Sequence, residues 1–468
     1  MIDHNASLFN TPIKAPSRME YNIMEEKKLK KLEVVTPQPT PGDTEWFQHD
    51  RLGMFIHWGI YALPARHEWI QNMEKTPADT YRSKYFTRFE PDLYDPVAWA
   101  KACKDAGMKY FIITTKHHDG FCLWDSKLTD YKATNTPYAK DVLRPMIDAF
   151  RAEGIRIGLY HSLLDWHHPE YTMDYLHPDV NRTEKHEDFA KRDLNKYVDY
   201  LHAQTRELLT EFGKIDILWY DFPVQKTEKW PGKGKDEWRS EELLKLIREL
   251  QPDIIINDRL EIDQDVKTPE QVQPRKWVEV DGKPVVWEAC QTFSGSWGYH
   301  RDEQTWKSVD MLVQMLVDTV SKGGNLLLNV GPTARGEFDE RALERLQGVG
   351  KWMKYNGRSI YGCTQAPQEF LDSMPKDCRL TYNPDTHRLY VHMFSYPFGG
   401  LMFENEELCD RIEYAQFLHD ASEIKYSKVS FHTHMFKDKS ETTLNFRIPV
   451  VKPNVTVPVI EIFLKKPE

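Results

Sequence analysis

Several features that would quickly assign a protein to a class are missing from this sequence. It has no run of about eighteen apolar residues, so we expect no helix that spans a membrane and no membrane partner. The first residues lack the basic and then apolar order of a secretory signal, so we expect a cytoplasmic protein. A globular chain that faces water is the expectation that follows.

Cysteine is scarce, and basic clusters are nearly absent. The six cysteines show no metal-binding or redox spacing, which predicts buried free thiols, no metal site and no cofactor. The net charge of −10 is spread along 468 residues, and the longest basic clusters are Lys27-Lys28 and Lys30-Lys31. Nucleic acid is therefore a poor partner for this chain.

Aromatic residues, in contrast, are abundant. The chain has 14 tryptophans and 22 tyrosines, and aromatic rings suit the flat C–H faces of sugars, although ordinary cores use them too. A hydrophobic content of 40% in a chain of this length predicts one large domain and one smaller domain.

One stretch places a carboxylate where ligands usually bind. Residues 215–220 are apolar and β-prone, and the run ends at Asp221, where Phe222-Pro223 stops the strand. The C-terminal ends of parallel strands form the ligand-binding face of barrels and open α/β sheets. Asp221 is therefore a candidate for chemistry, although a helix N-cap would explain it equally well.

Strand-like runs alternate with helical segments along most of the chain, which predicts parallel strands with right-handed crossovers. The predicted strands span residues 52–59, 108–115, 155–161, 215–221, 253–259, 284–290 and 325–331. Nearly all of them end in polar or aromatic residues, which favours an irregular (β/α)8-like TIM barrel of the α/β class over an open sheet. The eighth strand has no clear position, and residues 359–361 are a candidate.

The pattern changes towards both ends of the chain. Residues 1–42, which contain alternating prolines, predict an N-terminal arm or linker outside the main fold. Residues 43–362 form the predicted barrel. Residues 363–468 show short β-prone runs and turns, which predict a smaller antiparallel β-sandwich.

Three chemistries could use the side chains at the predicted strand ends. A metal hydrolase is disfavoured, because the adjacent His117 and His118 point to opposite faces of a strand. Glycoside hydrolysis by two carboxylates would pair Asp221 with Glu288 across the mouth of the barrel. A non-catalytic carbohydrate-binding barrel would keep the aromatic residues without the paired carboxylates. The strand ends supply His57, His117, His118, Tyr160, His161, Trp219, Asp221, Asp258, Arg259, Glu288 and Asn329.

An ordered set of motifs resembles the α-L-fucosidases of glycoside hydrolase family 29 over residues 45–365. Each motif is weak alone, but the order of the set is specific. The motifs are FIHWG at 55–59, HEW at 67–69, KHHDGF at 116–121, Trp219 with Asp221, NDR at 257–259, Trp287-Glu288, SWGY at 296–299, and the stretch 323–332, which begins with GGN and ends with GP.

This resemblance implies a retaining exo-α-L-fucosidase that acts by double displacement on a fucosylated oligosaccharide or glycoconjugate. It implies Asp221 as the nucleophile and Glu288 as the acid/base, with Glu68 as the alternative acid/base. The sugar-binding positions that it implies are His57, Glu68, Trp69, His117, His118, Tyr160, Trp219, Arg259 and Trp297. The methyl group of fucose requires an apolar socket, for which Trp219, Trp297 and Phe55 are candidates.

Three departures from the family pattern lie beside the leaving group, and they leave the linkage preference open. They are Tyr220, Phe222-Pro223 and a charged insertion at 226–237. A fucose-binding protein that has lost catalysis is the alternative to an enzyme. The arm at residues 1–41 could reach a neighbouring subunit, so a homo-oligomer is a further expectation.

Overall fold

The computed structural model describes residues 29–428 and 443–466. In the first part of the chain, parallel strands alternate with helices, as the sequence predicts. The strands of this part are β1 (Leu52–Ile56), β2 (Tyr110–Lys116), β3 (Arg156–Ser162), β4 (Ile217–Asp221), β5 (Ile255–Ile256), β6 (Glu279–Val280), β7 (Lys283–Pro284), β8 (Glu288–Thr292) and β9 (Asn325–Val330).

One sheet carries the barrel. Its strand order is β5-β4-β3-β2-β1-β9-β8, and every neighbouring pair is parallel. The short strands β6 and β7 form a separate antiparallel hairpin. The C-terminal ends of the seven sheet strands therefore open on one side of the molecule.

An irregular segment fills the gap between β5 and β8. Single parallel bridges join Asn257 to Val266, Lys267 to Trp287, and Glu270 to Cys290. Residues 265–270 thus occupy the place of an eighth strand, and we call them the irregular stave. The predicted eighth strand at 359–361 is wrong, because Gly357–Ser359 forms a 3-10 helix.

Helices cover the outside of the barrel and begin at local signals in the sequence. Asp95 caps α4 by accepting the Val97 and Ala98 amides at 3.0 Å, with Pro96 in the first turn. The helices are α1 (Glu45–Asp50), α2 (Ile70–Met73), α3 (Ala78–Tyr85), α4 (Pro96–Asp105), α5 (Leu143–Ala152), α6 (His186–Phe189), α7 (Leu194–Glu211), α8 (Ser240–Leu250), α9 (Val309–Val320), α10 (Glu340–Asn356), α11 (Gln368–Leu371) and α12 (Glu406–Arg411).

Aromatic and aliphatic side chains fill the barrel interior. Along β4, Ile217 and Trp219 face inwards, while Leu218 and Tyr220 face the surrounding helices. The same interior cluster also contains Phe47, Phe55, Tyr110, Ile112, Tyr160, Ile255, Val266, Val286, Cys290 and Leu327. The barrel interior is therefore a packed core and not an open channel.

Antiparallel sheets follow the barrel, which confirms the predicted fold class of a barrel followed by a sandwich. One sheet has the order β10-β11-β12-β17-β14, and the other has the order β13-β16-β15. Their strands are β10 (Thr364–Gln365), β11 (Cys378–Asn383), β12 (Arg388–Met393), β13 (Leu401–Glu404), β14 (Ile412–Phe417), β15 (Tyr426–Lys428), β16 (Thr443–Phe446) and β17 (Val459–Leu464).

The described part of the N-terminal arm is not outside the fold, which corrects that prediction. Leu32 is buried in the core of the antiparallel region. The amide of Gln38 donates to the Pro284 carbonyl at 2.9 Å, and the amide of Gly42 donates to Asp265 at 2.6 Å. Residues 29–42 therefore join the two parts of their own chain. The rest of the predicted arm, residues 1–28, lies outside the described residues.

Two predictions from composition can be compared with the described part of the chain. All six cysteines are free, five of them are buried and Cys409 is half-buried, which confirms the buried thiols. No helix in the described ranges is long and apolar enough to cross a membrane.

Candidate active site

Asp221 ends β4 at the open side of the barrel, and its side chain is held by two donors. The hydroxyl of Tyr160 donates to Oδ2 at 2.9 Å, and Nη1 of Arg259 donates to Oδ1 at 3.0 Å. Tyr160 lies on the adjacent strand β3, and Arg259 lies in the 3-10 helix that follows β5. These two contacts fix both carboxylate oxygens of Asp221.

Burial raises the pKa of Asp221 to about 6, against an ordinary value of 3.8. The positive charge of Arg259 and the hydrogen bond from Tyr160 oppose this rise, while the negative charge of Glu270 adds to it. The carboxyl is therefore ionised at neutral pH but poised close to its titration range.

Glu270 is the second carboxylate of the site, and the sequence analysis missed it. Nη2 of Arg259 donates to Glu270 Oε2 at 2.9 Å, while Nη1 of the same guanidinium holds Asp221. Because one planar guanidinium contacts both groups, their bonded oxygens lie within about 8 Å of each other. The Glu270 side chain is 38% exposed, so it is accessible from the mouth of the barrel. Its only sequence signal is a carboxylate between the fifth and sixth predicted strands.

Glu288 does not lie at the barrel mouth, which corrects its prediction as the partner of Asp221. It is the first residue of β8, whereas Asp221 is the last residue of β4. Parallel strands place these positions at opposite ends of the barrel. Glu288 accepts a 2.5 Å hydrogen bond from Tyr110, the first residue of β2, and is 1% exposed. Burial raises its pKa to about 7, and the hydrogen bond from Tyr110 opposes this rise.

Three neutral histidines lie on the same side of the barrel as Asp221, and two of them, His57 and His117, lie beside Tyr160. Nδ1 of His57 donates to Asn329 at 2.7 Å, and Nδ1 of His118 donates to Ser162 at 2.6 Å. Burial lowers the pKa of His57 to about 3 and places the pKa values of His117 and His118 well below their ordinary value. His117 Nδ1 and His118 Nε2 are buried and have no hydrogen-bond partner among the described residues. Both nitrogens are available to a bound polyol.

Glu68 and Trp69 lie in the loop after β1 and contact other parts of the site. Oε2 of Glu68 accepts the Gly298 amide at 2.8 Å, which holds the segment that carries Trp297. Its Oε1 is buried without a hydrogen bond in the described structure, and burial raises the Glu68 pKa. The Trp69 ring packs edge-on against His118 at 4.9 Å.

Phe55 lies beside the two other rings that were predicted to form an apolar socket. Phe55 lies 5.3 Å from Trp219 and 5.9 Å from Trp297, measured between ring centroids. Tyr160 stacks on Trp219 at 5.9 Å, and Trp297 lies 5.2 Å from His57. The structure thus groups the predicted sugar-binding residues around Asp221.

His161 and Asp258 lie at strand ends but do not contribute to this group. Nδ1 of His161 lies 3.0 Å from the Thr115 hydroxyl, and its ring packs against Trp124 and Tyr220 on the helix side of the sheet. Asp258 accepts the Thr268 hydroxyl at 2.7 Å, which holds the irregular stave.

A parallel barrel with two carboxylates on one arginine, beside neutral histidines and aromatic rings, is typical of a glycoside hydrolase. The chain belongs to the α-L-fucosidase family, whose model, described as Alpha-L-fucosidase, matches residues 24–358. This family membership confirms the resemblance found in the sequence.

Relatives of known sequence and structure agree with this assignment. The α-L-fucosidase of Dictyostelium discoideum is 28% identical, over 92% of this chain and 93% of its own length. The tissue α-L-fucosidase of Bos taurus is 30% identical, over 68% of each chain. The solved structure of α-L-fucosidase isoenzyme 1 from Paenibacillus thiaminolyticus is 43% identical, covers 90% of this chain and 99% of its own, and has a TM-score of 0.82. A GH29 α-L-fucosidase from Bacteroides thetaiotaomicron is 26% identical, covers 94% and 98%, and has a TM-score of 0.76.

Proposed function

We propose that this protein is a retaining exo-α-L-fucosidase that removes terminal α-L-fucose from oligosaccharides or glycoconjugates. The observation that carries this proposal is the pair Asp221 and Glu270 on the single guanidinium of Arg259. The GH29 enzyme of Bacteroides thetaiotaomicron was solved as a trapped covalent intermediate with 2-fluoro-fucosyl fluoride, which supports double displacement in this family. A protein that only binds fucose would need the pocket but not the paired carboxylates.

In the first step, the ionised Asp221 attacks the anomeric carbon of fucose. The bond between this carbon and the leaving oxygen breaks, and Glu270 donates a proton to that oxygen. The product is a fucosyl ester on Asp221 with inverted configuration. Arg259 contacts both groups, so its positive charge faces the Asp221 carboxylate before this step and the Glu270 carboxylate after it, when Asp221 is a neutral ester.

In the second step, Glu270 acts as a base. It takes a proton from water, the water oxygen attacks the anomeric carbon, and the ester bond to Asp221 breaks. Two inversions give fucose with the original configuration. Glu270 meets the requirement for water access, because its side chain is partly exposed while that of Glu288 is fully buried.

The pocket supports fucose as the bound sugar. Because Nδ1 of His57 and of His118 donates to a protein group, Nε2 of each neutral ring can accept from a sugar hydroxyl. His117 Nδ1 and Glu68 Oε1, which have no hydrogen-bond partner in the described structure, can bind further hydroxyls. The rings of Phe55, Trp219 and Trp297 offer an apolar socket for the methyl group. Glu68 therefore serves as a sugar-binding residue in this proposal and not as the acid/base.

The experiment compares two glutamates on the same scaffold. Glu270→Ala should lower kcat/KM for a fucosyl disaccharide by about 10²-fold or more, because general acid catalysis contributes about that much. Its activity on α-L-fucosyl fluoride should return on addition of azide, with α-L-fucosyl azide as the product. Glu288→Ala is the matched control and should show no azide rescue. Azide rescue at Glu288→Ala alone would return the acid/base role to Glu288, and rescue at Glu68→Ala alone would assign it to Glu68.

A nucleophile variant tests the double displacement itself. Asp221→Gly should lose activity by about 10³-fold or more, and azide should then yield the inverted β-L-fucosyl azide. Retained activity in Asp221→Gly would contradict the proposed nucleophile.

Two finer expectations remain proposals. We propose a cytoplasmic location for this protein, and cell fractionation tests it. A homo-oligomer is also proposed, and sedimentation of the full chain tests it.

A further inference from the structure

The residue after the nucleophile has an unusual backbone. Phe222 follows Asp221 directly and has φ +72, in the left-handed region that favours glycine. A bulky side chain in this conformation is strained, and such strain persists only where the surrounding structure holds it. Contacts with the rest of the protein must therefore hold Phe222 in this conformation.

The Phe222 ring forms half of an aromatic pair at the edge of the pocket. Its centroid lies 5.1 Å from Trp69 and 5.1 Å from His118, and Trp69 itself lies 4.9 Å from His118. His118 is fully buried, whereas Phe222 and Trp69 are half-buried. The two outer rings therefore cover the histidine and keep part of their surface open at the mouth. We call Phe222 and Trp69 the rim pair.

Contacts between loops fix the rim pair. The side chain of Asn72, in the helix after Trp69, donates to the Leu176 carbonyl. In the same loop as Leu176, Asp174 pairs with the buried Lys233, which bridges to Val224 two residues after Phe222. These contacts link the loop that carries Trp69 to the loop that carries Phe222, so the distance between the two rings is fixed before a substrate binds.

The direction of the substrate brings its leaving group to the rim pair. With the anomeric carbon at Asp221, the fucose ring fills the pocket of buried histidines and rings below the mouth. The leaving group must extend outwards, past side chains that are both close to Asp221 and partly exposed. Phe222 meets both conditions.

We propose that Phe222 is a specificity-determining residue, which with Trp69 forms an apolar platform for the C–H face of a leaving-group sugar. This inference rests on the proposed function. It assigns the preferred substrate class as fucosyl saccharides whose first leaving-group residue is a pyranose that packs flat on the rim pair.

The test uses substrates that differ only in the leaving group. α-L-Fucosyl fluoride has a leaving group too small to contact the rim pair, whereas a fucosyl disaccharide contacts it fully. Phe222→Gly, which suits the left-handed backbone, should lower kcat/KM for the disaccharide about tenfold and change the value for the fluoride by less than about twofold. Phe222→Trp should keep the disaccharide activity because it keeps a ring. Phe398→Ala removes an 89% exposed ring far along the chain and should change neither value.

Three other results of this substrate comparison would contradict either the inference or the proposed function. An equal loss for the fluoride and the disaccharide would place the Phe222 ring against fucose itself and overturn the inference. Unchanged disaccharide activity in Phe222→Gly would also overturn it. Failure of the wild-type protein to hydrolyse the fluoride would instead contradict the proposed function, so the two failures are separable.

Discussion

Arg259 links the two carboxylates of the site, because its guanidinium contacts both of them. Its guanidinium contacts Asp221 at 3.0 Å and Glu270 at 2.9 Å, and it also lies 5.1 Å from the centre of the Trp219 ring. A lysine could not replace this planar fork, because it offers one point charge in place of two separated donors. Arg259 therefore helps to position both carboxylates of the proposed catalytic pair and places a positive charge beside each of them.

The pH dependence of activity should report this charge. The pKa of Asp221 is about 6, so kcat/KM should fall as the pH drops below about 6 and the nucleophile gains a proton. Arg259→Gln removes a positive charge that favours the ionised form, so this acidic limb should move to higher pH. The measurement is the pH profile of kcat/KM for 4-nitrophenyl α-L-fucoside.

A second variant tests whether the shift of the acidic limb comes from the local charge of Arg259 or from the change in net charge of the protein. Arg275→Gln removes an exposed positive charge elsewhere on the chain and should leave the acidic limb in place. An acidic limb that stays fixed or moves to lower pH in Arg259→Gln would show that Arg259 does not stabilise the ionised Asp221.

The sequence predicted the place of Asp221 at the end of its strand correctly, but it predicted the wrong end of the barrel for Glu288. The strand that ends at Asp221 has a local stop, Phe222-Pro223, so its end could be located. The strand near Glu288 was predicted at 284–290 but begins at Glu288, because the hairpin of β6 and β7 takes up the chain before it. A shift of a few residues moved this glutamate from one end of the barrel to the other.

Among the elements, the insertion at 226–237 is anchored by one buried ion pair. Lys233 is 1% exposed and donates to Asp174 and, at 3.0 Å, to the Thr172 carbonyl. An antiparallel bridge joins it to Val224. Removing one partner of such a pair leaves a buried charge without compensation, which typically costs about 3–5 kcal/mol.

Lys233→Ala should therefore lower the free energy of unfolding by about 3 kcal/mol. Lys235→Ala, two residues away on the exposed face, should change it by less than about 0.5 kcal/mol. Urea denaturation of both variants beside the wild-type protein is the measurement. Equal effects at the two lysines would mean that the buried pair does not hold the insertion.

The elements that were predicted well are those with local signals. Asp95 with Pro96 marks the start of α4, and the left-handed Gly107 follows its end. The irregular stave has no such signal, because residues 265–270 contain Pro269, lack apolar alternation and pair with their neighbours only through single bridges. Glu270 was missed for this reason, since its position depends on contacts that no local pattern encodes.

For the whole molecule, the barrel and the antiparallel region are connected by side chains and by the N-terminal segment. The indole of Trp352 donates to the Val457 carbonyl at 3.2 Å, and Arg379 donates to Asp318 at 2.8 Å. Leu32 inserts into the core of the antiparallel region, and Gly42 bonds to the barrel. Composition alone predicted residues 1–42 as a separate arm, because proline-rich polar sequence does not reveal a single buried anchor.

Leu32→Ala should lower the free energy of unfolding by about 2–3 kcal/mol, because it removes a buried side chain and leaves a cavity. The neighbouring Lys31 is exposed, so Lys31→Ala is the matched control and should have little effect. Chemical denaturation of the full chain measures both. A Leu32→Ala protein as stable as the control would mean that residues 29–42 contribute no anchoring.

The irregular stave has a consequence for how related enzymes are compared. Single bridges, and not a continuous ladder, hold it between its neighbours, so residues can be gained or lost there without shifting the register of any regular strand. The number of residues that separates the nucleophile from the proton donor is then free to change while their distance in space stays the same. In such enzymes the proposed proton donor is hard to locate from its distance along the sequence. The arginine that contacts both carboxylates is a better guide to its position.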